Sequence, residues 1–311
     1  MSTAFLFPGQ GSQFPGMLDQ LLDHPEVERT LNEVNSVLHS DVRDLDSEEA
    51  LESTVSVQLA LLTAGVATAR ALIANDAEPA VVCGLSIGAF AAAVVADVLS
   101  LKDAVELVQL RAERMMELYP TGYGLSAVVG LNEPQVLKIV QAATSAQEPV
   151  FIANINAPRQ IVIAGSDAGM ERVLDQARHQ GARKAERLDV SVPSHCPLLQ
   201  PVADLLQSRF SSVQFSKPQV TYVGNVNARA LRTAQLVASD LANNVAHIVR
   251  WHDATTVARE LGCNLFLEMP PGHVLSDLAK DNLPGVNALA VEKNVLSRVL
   301  RFARQEIAAG Q

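Results

Sequence analysis

Cysteine is scarce. The 311 residues hold three, Cys83, Cys196 and Cys263, too few and too unevenly spaced for a disulfide framework or a structural metal site, so buried thiols in a reducing compartment are expected. Long uncharged apolar runs are missing as well. Residues 58–74 come closest to the ~18 to 20 residues of a membrane span, but Arg70 interrupts them and Asn75-Asp76 closes them. The short run Phe5-Leu6-Phe7 has no basic segment ahead of it, unlike a secretory signal, so the expected location is the cytoplasm. Positive charge is in deficit: 24 Lys and Arg against 34 Asp and Glu give a net charge of −10, which argues against nucleic acid and against an anionic membrane surface as partners. Internal repeats and low-complexity segments are absent too.

What is present reads as an α/β protein. The length favours a large domain carrying a smaller one. A short strand over 4–7 runs into the loop Pro8-Gly9-Gln10-Gly11-Ser12-Gln13, too rich in Gly and Pro to extend it. Helices are predicted near 26–38 and 55–73, and Ser100-Leu101-Lys102-Asp103 opens another that runs to Tyr119-Pro120. From Leu125 the pattern changes to strand 125–131, helix 134–143, strands 150–154 and 160–164, helix 167–180 and strand 183–190. That βαββαβ order is a ferredoxin-like unit. The expected division is therefore 1–124 with 192–311 as the large domain and 125–191 as the inserted small one. Strands at 220–223, 265–268 and 286–291, with helices between them, complete the larger fold.

The most informative segment is Gly84-Leu85-Ser86-Ile87-Gly88. The apolar run 79–83 leads into it and the Ala-rich stretch 89–96 leads out, which makes a strand, a sharp turn and a helix. A Ser at the apex of such a turn is lifted clear of both elements, the glycines relieve the crowding, and the free N–H groups of the helix start lie beside the hydroxyl. A chance Gly-x-Ser-x-Gly is expected roughly 0.1 times in a chain of this size. The context says acyl chemistry.

A serine nucleophile needs a base. Of the seven histidines, His195 stands out because Val192-Pro193-Ser194-His195-Cys196-Pro197 lies where the small unit returns to the large one, and clefts between domains are where substrates bind. A helix N-terminus beside it would keep it neutral and basic near pH 7. Arg111 follows Leu107 by four residues and precedes Met115 by four, so it sits on the apolar stripe of its helix and points inward. A buried guanidinium wants an anion held by paired hydrogen bonds: a ligand carboxylate, or an Asp or Glu of the same chain.

These segments, with Phe7-Pro8-Gly9-Gln10-Gly11-Ser12-Gln13 and 154–165 (Asn154-Ile155-Asn156-Ala157-Pro158-Arg159 onward), occur in the order of the malonyl-CoA:acyl-carrier-protein transacylases, which the chain resembles over nearly its whole length. The resemblance implies an α/β-hydrolase-like large domain with a parallel sheet and a ferredoxin-like insert, and a Ser–His dyad without a metal or bound cofactor. By that resemblance Ser86 attacks the malonyl thioester of malonyl-CoA, His195 relays the proton, the N–H groups of Gln10 and Ile87 form the oxyanion hole, and Arg111 holds the free carboxylate. The acceptor is the prosthetic thiol of an acyl-carrier protein. The histidine of this family is oriented by a backbone carbonyl, for which the matching position here is read as Arg250.

Leu85 and Ala89 stand where fatty-acid enzymes of this family carry His and Glu around the serine, and Arg250 where they carry Gln. Together with 119–124 and 268–273, they resemble the branch that serves malonate decarboxylase, its epsilon subunit, whose acceptor is the decarboxylase's small carrier subunit. The alternatives are a transacylase of fatty-acid or polyketide synthesis, a serine esterase or thioesterase using the late His273, and a non-catalytic carrier-binding subunit. For an acidic carrier, Arg183, Lys184, Arg187, Arg229 and Arg232 are candidate contacts or simply solvated charges.

Overall fold

In the computed structural model, which describes residues 2–292, 294 and 296–310, two sheets divide the chain. Six strands, β1 (Ser2–Phe7), β2 (Val81–Gly84), β7 (Thr221–Val223), β8 (Ala230–Leu231), β9 (Cys263–Glu268) and β10 (Asn287–Ala290), make the larger sheet in the order β10-β9-β1-β2-β7-β8. All its pairings are parallel except β7–β8. Both faces of its central strands are covered: β1 is buried along Ala4–Phe7 and all four residues of β2 are buried. Such strands read as continuous apolar runs, which is how 79–83 stood out. The edge strand β8 escaped sequence reading because a two-residue strand has no period.

The second sheet, β4-β5-β3-β6, is antiparallel and comprises β3 (Tyr123–Val129), β4 (Val150–Ala157), β5 (Gln160–Ser166) and β6 (Lys184–Arg187). Helices Glu133–Ala143 and Asp167–His179 cover it, in the βαββαβ order expected from the sequence. β6 is shorter than predicted. At its end the Arg187 side chain donates to the carbonyls of Tyr123, Leu125 and Val190. The same contacts, with Asp167, occupy Arg187, while Lys184 pairs with Glu186; two of the five candidate carrier contacts are thus engaged.

Helix Thr54–Ile73 is long and apolar enough to cross a membrane, contrary to the reading that Arg70 interrupts such a run, but it is 89% buried inside the fold. It packs between helices Pro25–Leu38, Gly88–Val95 and Leu101–Leu118 as a core element. Strand β4 is tied by main-chain bonds to the segment just ahead of helix Trp251–Glu260, Ile155 N–H to Val249 O (2.8 Å) and Val249 N–H to Ala153 O (2.9 Å). Asn154 and Asn156 of β4 share a cleft with Leu85 and Ser86, which follow the C-terminal end of β2.

Candidate active site

β2 ends at Gly84 and helix Gly88–Val95 begins four residues later. Two glycines allow this. A Cβ on Gly84 would lie 2.2 Å from the carbonyl of Gly88, and one on Gly88 would lie 2.2 Å from the carbonyl oxygen of Phe7. At the apex Ser86 adopts φ +57°, a left-handed conformation that costs a non-glycine residue of order 1–3 kcal/mol and persists only where its surroundings hold it. The expected strand, turn and helix are all present.

His195 Nε2 lies 2.8 Å from Ser86 Oγ although 109 residues separate them. Its Nδ1 lies 2.5 Å from the carbonyl oxygen of Asn244. A carbonyl can only accept, so Nδ1 carries the proton and Nε2 presents its lone pair to the serine hydroxyl. The main chain keeps this register, since His195 N–H donates to Val245 O at 2.7 Å. Burial, then the nearby Arg111 charge, push the imidazole pKa down to about 3, against a smaller upward pull from the Asn244 carbonyl. The depression comes from desolvation and then a neighbouring cation; of the helix start that the sequence suggested there is only a short 3-10 turn at Pro197–Leu199, and the α-helix begins at Gln200.

Arg250 does not orient the histidine. Its carbonyl accepts from Ala254 N–H in the first turn of helix Trp251–Glu260, and its guanidinium binds Asp253 (2.6 Å) and Glu133 (3.6 Å). Asn244 takes that place because it caps the C-terminus of helix Ala234–Asn243, where carbonyls lack intrahelical partners and are free to accept from outside. Arg250 consequently adds no unpaired cation at the dyad.

Arg111 is fully buried. Its Nη1 donates to Gln58 Oε1 at 2.6 Å, its Nη2 stands 3.4 Å from Ser86 Oγ, and its Nε has no partner. Among the described residues no acid pairs with it, and desolvation lowers its pKa to about 10, so it stays cationic near neutral pH. Gln58 passes a second bond to Gln10 Oε1 (3.0 Å), which ties the glycine-rich loop to the guanidinium. Gln58 was missed in the sequence, although an amide inside the apolar run 55–66 is itself a signal, since a buried amide needs a partner.

The N–H groups of Gln10 and Ile87 donate to no other group among the described residues. Pro8–Ser12, the dyad, Leu85, Val274 and Leu275, and residues Leu125, Ala127, Asn154, Asn156, Gln160 and Val162 of the second sheet line a cleft of about 270 Å³. His273, the esterase candidate, lies outside it and binds Asp277 at 2.5 Å. The cleft thus presents a hydroxyl beside a neutral imidazole, with the unengaged N–H groups of Gln10 and Ile87 next to it and, buried behind the hydroxyl, a guanidinium that has no acidic partner among the described residues. Such a constellation can bind an anionic acyl group, attack its carbonyl and stabilise the resulting oxyanion.

The acyl transferase domain family matches residues 4–296. The chain is 36% identical over 296 residues to the malonyl CoA-acyl carrier protein transacylase of Salmonella typhimurium, covering 93% of this chain and 96% of that one. It is 34% identical to the enzyme of the same name from Bacillus subtilis, covering 89% of each. Among solved structures it is similar to FabD from Acinetobacter baumannii (TM-score 0.92, 34% identity, 99% of both chains). It is also similar to a malonyl-transacylase in complex with its type II PKS acyl-carrier protein (TM-score 0.91, 34% identity, 98% of this chain and 99% of that one).

Proposed function

Since the chain belongs to the acyl transferase domain family and is an acyltransferase, we propose that it moves malonyl from CoA to the thiol of an acyl-carrier protein through a malonyl-Ser86 intermediate. One observation carries the choice of acyl group: Arg111 is a fully buried guanidinium with no acidic partner among the described residues, 3.4 Å from the nucleophile. A carboxylate at the far end of a three-carbon diacid supplies the missing anion; a simple acyl chain would leave the cation uncompensated.

In the proposed reaction His195 Nε2 removes the proton as Ser86 Oγ adds to the thioester carbonyl. The N–H groups of Gln10 and Ile87 receive the oxyanion, and the tetrahedral adduct collapses with His195 returning the proton to the CoA sulfur. The carrier thiol then enters the same cleft and the steps run in reverse order on it. The Asn244 carbonyl stabilises the imidazolium that forms twice per cycle. We assign residues 125–191 as the small domain that walls the cleft and 1–124 with 192–311 as the large domain that carries the dyad.

For the physiological acceptor, the fatty-acid or polyketide carrier is the better supported reading, because the relatives are named as transacylases of that kind. The decarboxylase reading rests on Leu85, Ala89 and the segments 119–124 and 268–273, now that Arg250 is tied to Glu133 and Asp253. Intact-mass spectrometry after mixing with malonyl-CoA should show a malonyl adduct that is lost on adding carrier. Supplying a phosphopantetheine carrier and a malonate decarboxylase carrier in parallel decides the acceptor. Faster transfer to the first supports the assignment; a clear preference for the second overturns it.

A further inference from the structure

The β2–β7 ladder pairs Val81 with Thr221, Val82 with Tyr222 and Cys83 with Val223. Two residues further in the same register, Leu85 stands opposite Asn225. A parallel ladder would there use the main chain of 225, its N–H donating to the carbonyl of 84 and its carbonyl accepting from the N–H of 86. The main chain of Asn225 is turned away. Its N–H goes to the Asp240 carboxylate (2.9 and 3.0 Å) and its carbonyl accepts from Arg250 N–H (3.0 Å). The side chain fills the gap: Nδ2 donates to Gly84 O at 2.9 Å and Oδ1 accepts from Ser86 N–H at 3.0 Å. A carboxamide has the same donor and acceptor as a peptide unit, and here it makes both bonds that the peptide would have made.

We propose that Asn225 is a positioning residue for the acyl transfer: its carboxamide acts as a surrogate peptide unit, the last rung of the ladder, and holds Ser86 in the left-handed turn that aims Oγ at His195. The inference rests on the reading of Ser86 as nucleophile. Asn225 is 3% exposed and all four of its main-chain and side-chain polar groups are matched, so the amide cannot rotate without losing partners. Behind it Asp240 is a fixed anchor. The carboxylate is 6% exposed and also accepts from Val226 N–H at 3.0 Å and from the Tyr222 hydroxyl at 3.3 Å. Gly224 lets this loop close on it, since a Cβ there would lie 2.8 Å from Asp240 Oδ1. The left-handed conformation of Ser86 is thus held by a clamp from the loop that follows β7, in addition to the turn's own main-chain bonds.

The test measures the rate at which a fluorophosphonate probe labels Ser86 in the full chain, wild type against Asn225→Ala and Asn225→Asp, with Ser86→Ala as the blank. The probe reports nucleophile alignment without needing malonyl recognition. Misplacing a nucleophile by ~1 Å costs up to about 100-fold, so labelling of Asn225→Ala should slow by about 10- to 100-fold. The KM for malonyl-CoA should change little while kcat falls, and amide hydrogen exchange in 84–88 should accelerate. Asn225→Asp keeps the volume and the acceptor for Ser86 but sets a second acceptor against Gly84 O; it should slow labelling too, and it carries the test if the alanine variant does not fold. A folded variant labelled within about two-fold of wild type, or one that raises KM with kcat unchanged, overturns the proposal. Wild type labelled by the probe but not by malonyl-CoA would instead overturn the malonyl assignment and leave the clamp standing.

Discussion

Arg111 Nη2 lies 3.4 Å from Ser86 Oγ, which places a cation against the same oxygen that His195 Nε2 reaches at 2.8 Å. On the proposed reaction the cation would steady an alkoxide developing on Ser86; burial first, and then this same cation, keep the imidazole unprotonated. A substrate carboxylate on Arg111 would quench part of that field and let the imidazole accept a proton more readily. On the proposed function, binding of the dicarboxylic acyl group and activation of the base would therefore be coupled through one guanidinium.

Ser86→Ala should abolish the covalent malonyl adduct, and His195→Ala should slow its formation by ~10² to 10⁴-fold, the usual span for loss of a general base. Rapid-quench mass spectrometry reads both. An adduct on the Ser86→Ala protein would remove Ser86 from the role.

Arg111→Ala should lower malonyl transfer about 10- to 100-fold more than acetyl transfer, the worth of a charge-assisted hydrogen-bonded contact. Arg111→Lys should recover little, because an ammonium cannot reproduce the planar fork and would leave Gln58 Oε1 without its 2.6 Å donor. Competition between malonyl-CoA and acetyl-CoA measures the ratio; equal losses would make Arg111 structural.

The pH dependence follows from His195, whose folded pKa of about 3 lies below its ordinary value near 6.5. Between those two values the unfolded chain binds a proton that the native imidazole refuses, so this residue lowers stability as pH falls from about 6.5 towards 3 and has no effect above that window. In the free enzyme the base stays available throughout, and the acid limb of kcat/KM should lie well below pH 6. A limb centred near 6.5 would show that the imidazole is solvated.

Arg250→Ala should leave malonylation within about three-fold of wild type and cost at most ~1 kcal/mol of stability, since its ion pairs with Asp253 and Glu133 are partly exposed. Steady-state rates and a thermal melt check this. A fall as large as that of His195→Ala would restore Arg250 to the dyad.

The chain by itself determined the elbow, the inward face of Arg111 and the βαββαβ unit. Each depends on neighbours within a few residues: two glycines that give their Cβ space to the turn, apolar residues four apart on one helix, and alternating strand and helix periods. His195 was legible from its place just after the βαββαβ unit. The carbonyl that orients it was not, because a carbonyl has no side-chain signature and its availability depends on where helix Ala234–Asn243 ends and how the 192–196 loop docks against it. Nor did spacing reveal that Arg111 has no acid partner among the described residues, or that the amide of Asn225, 139 residues from Ser86, bonds to it where the ladder would continue. Those facts exist only once distant segments are packed together, since hydrogen bonds and ion pairs are set by distances of about 3 Å that sequence separation does not encode.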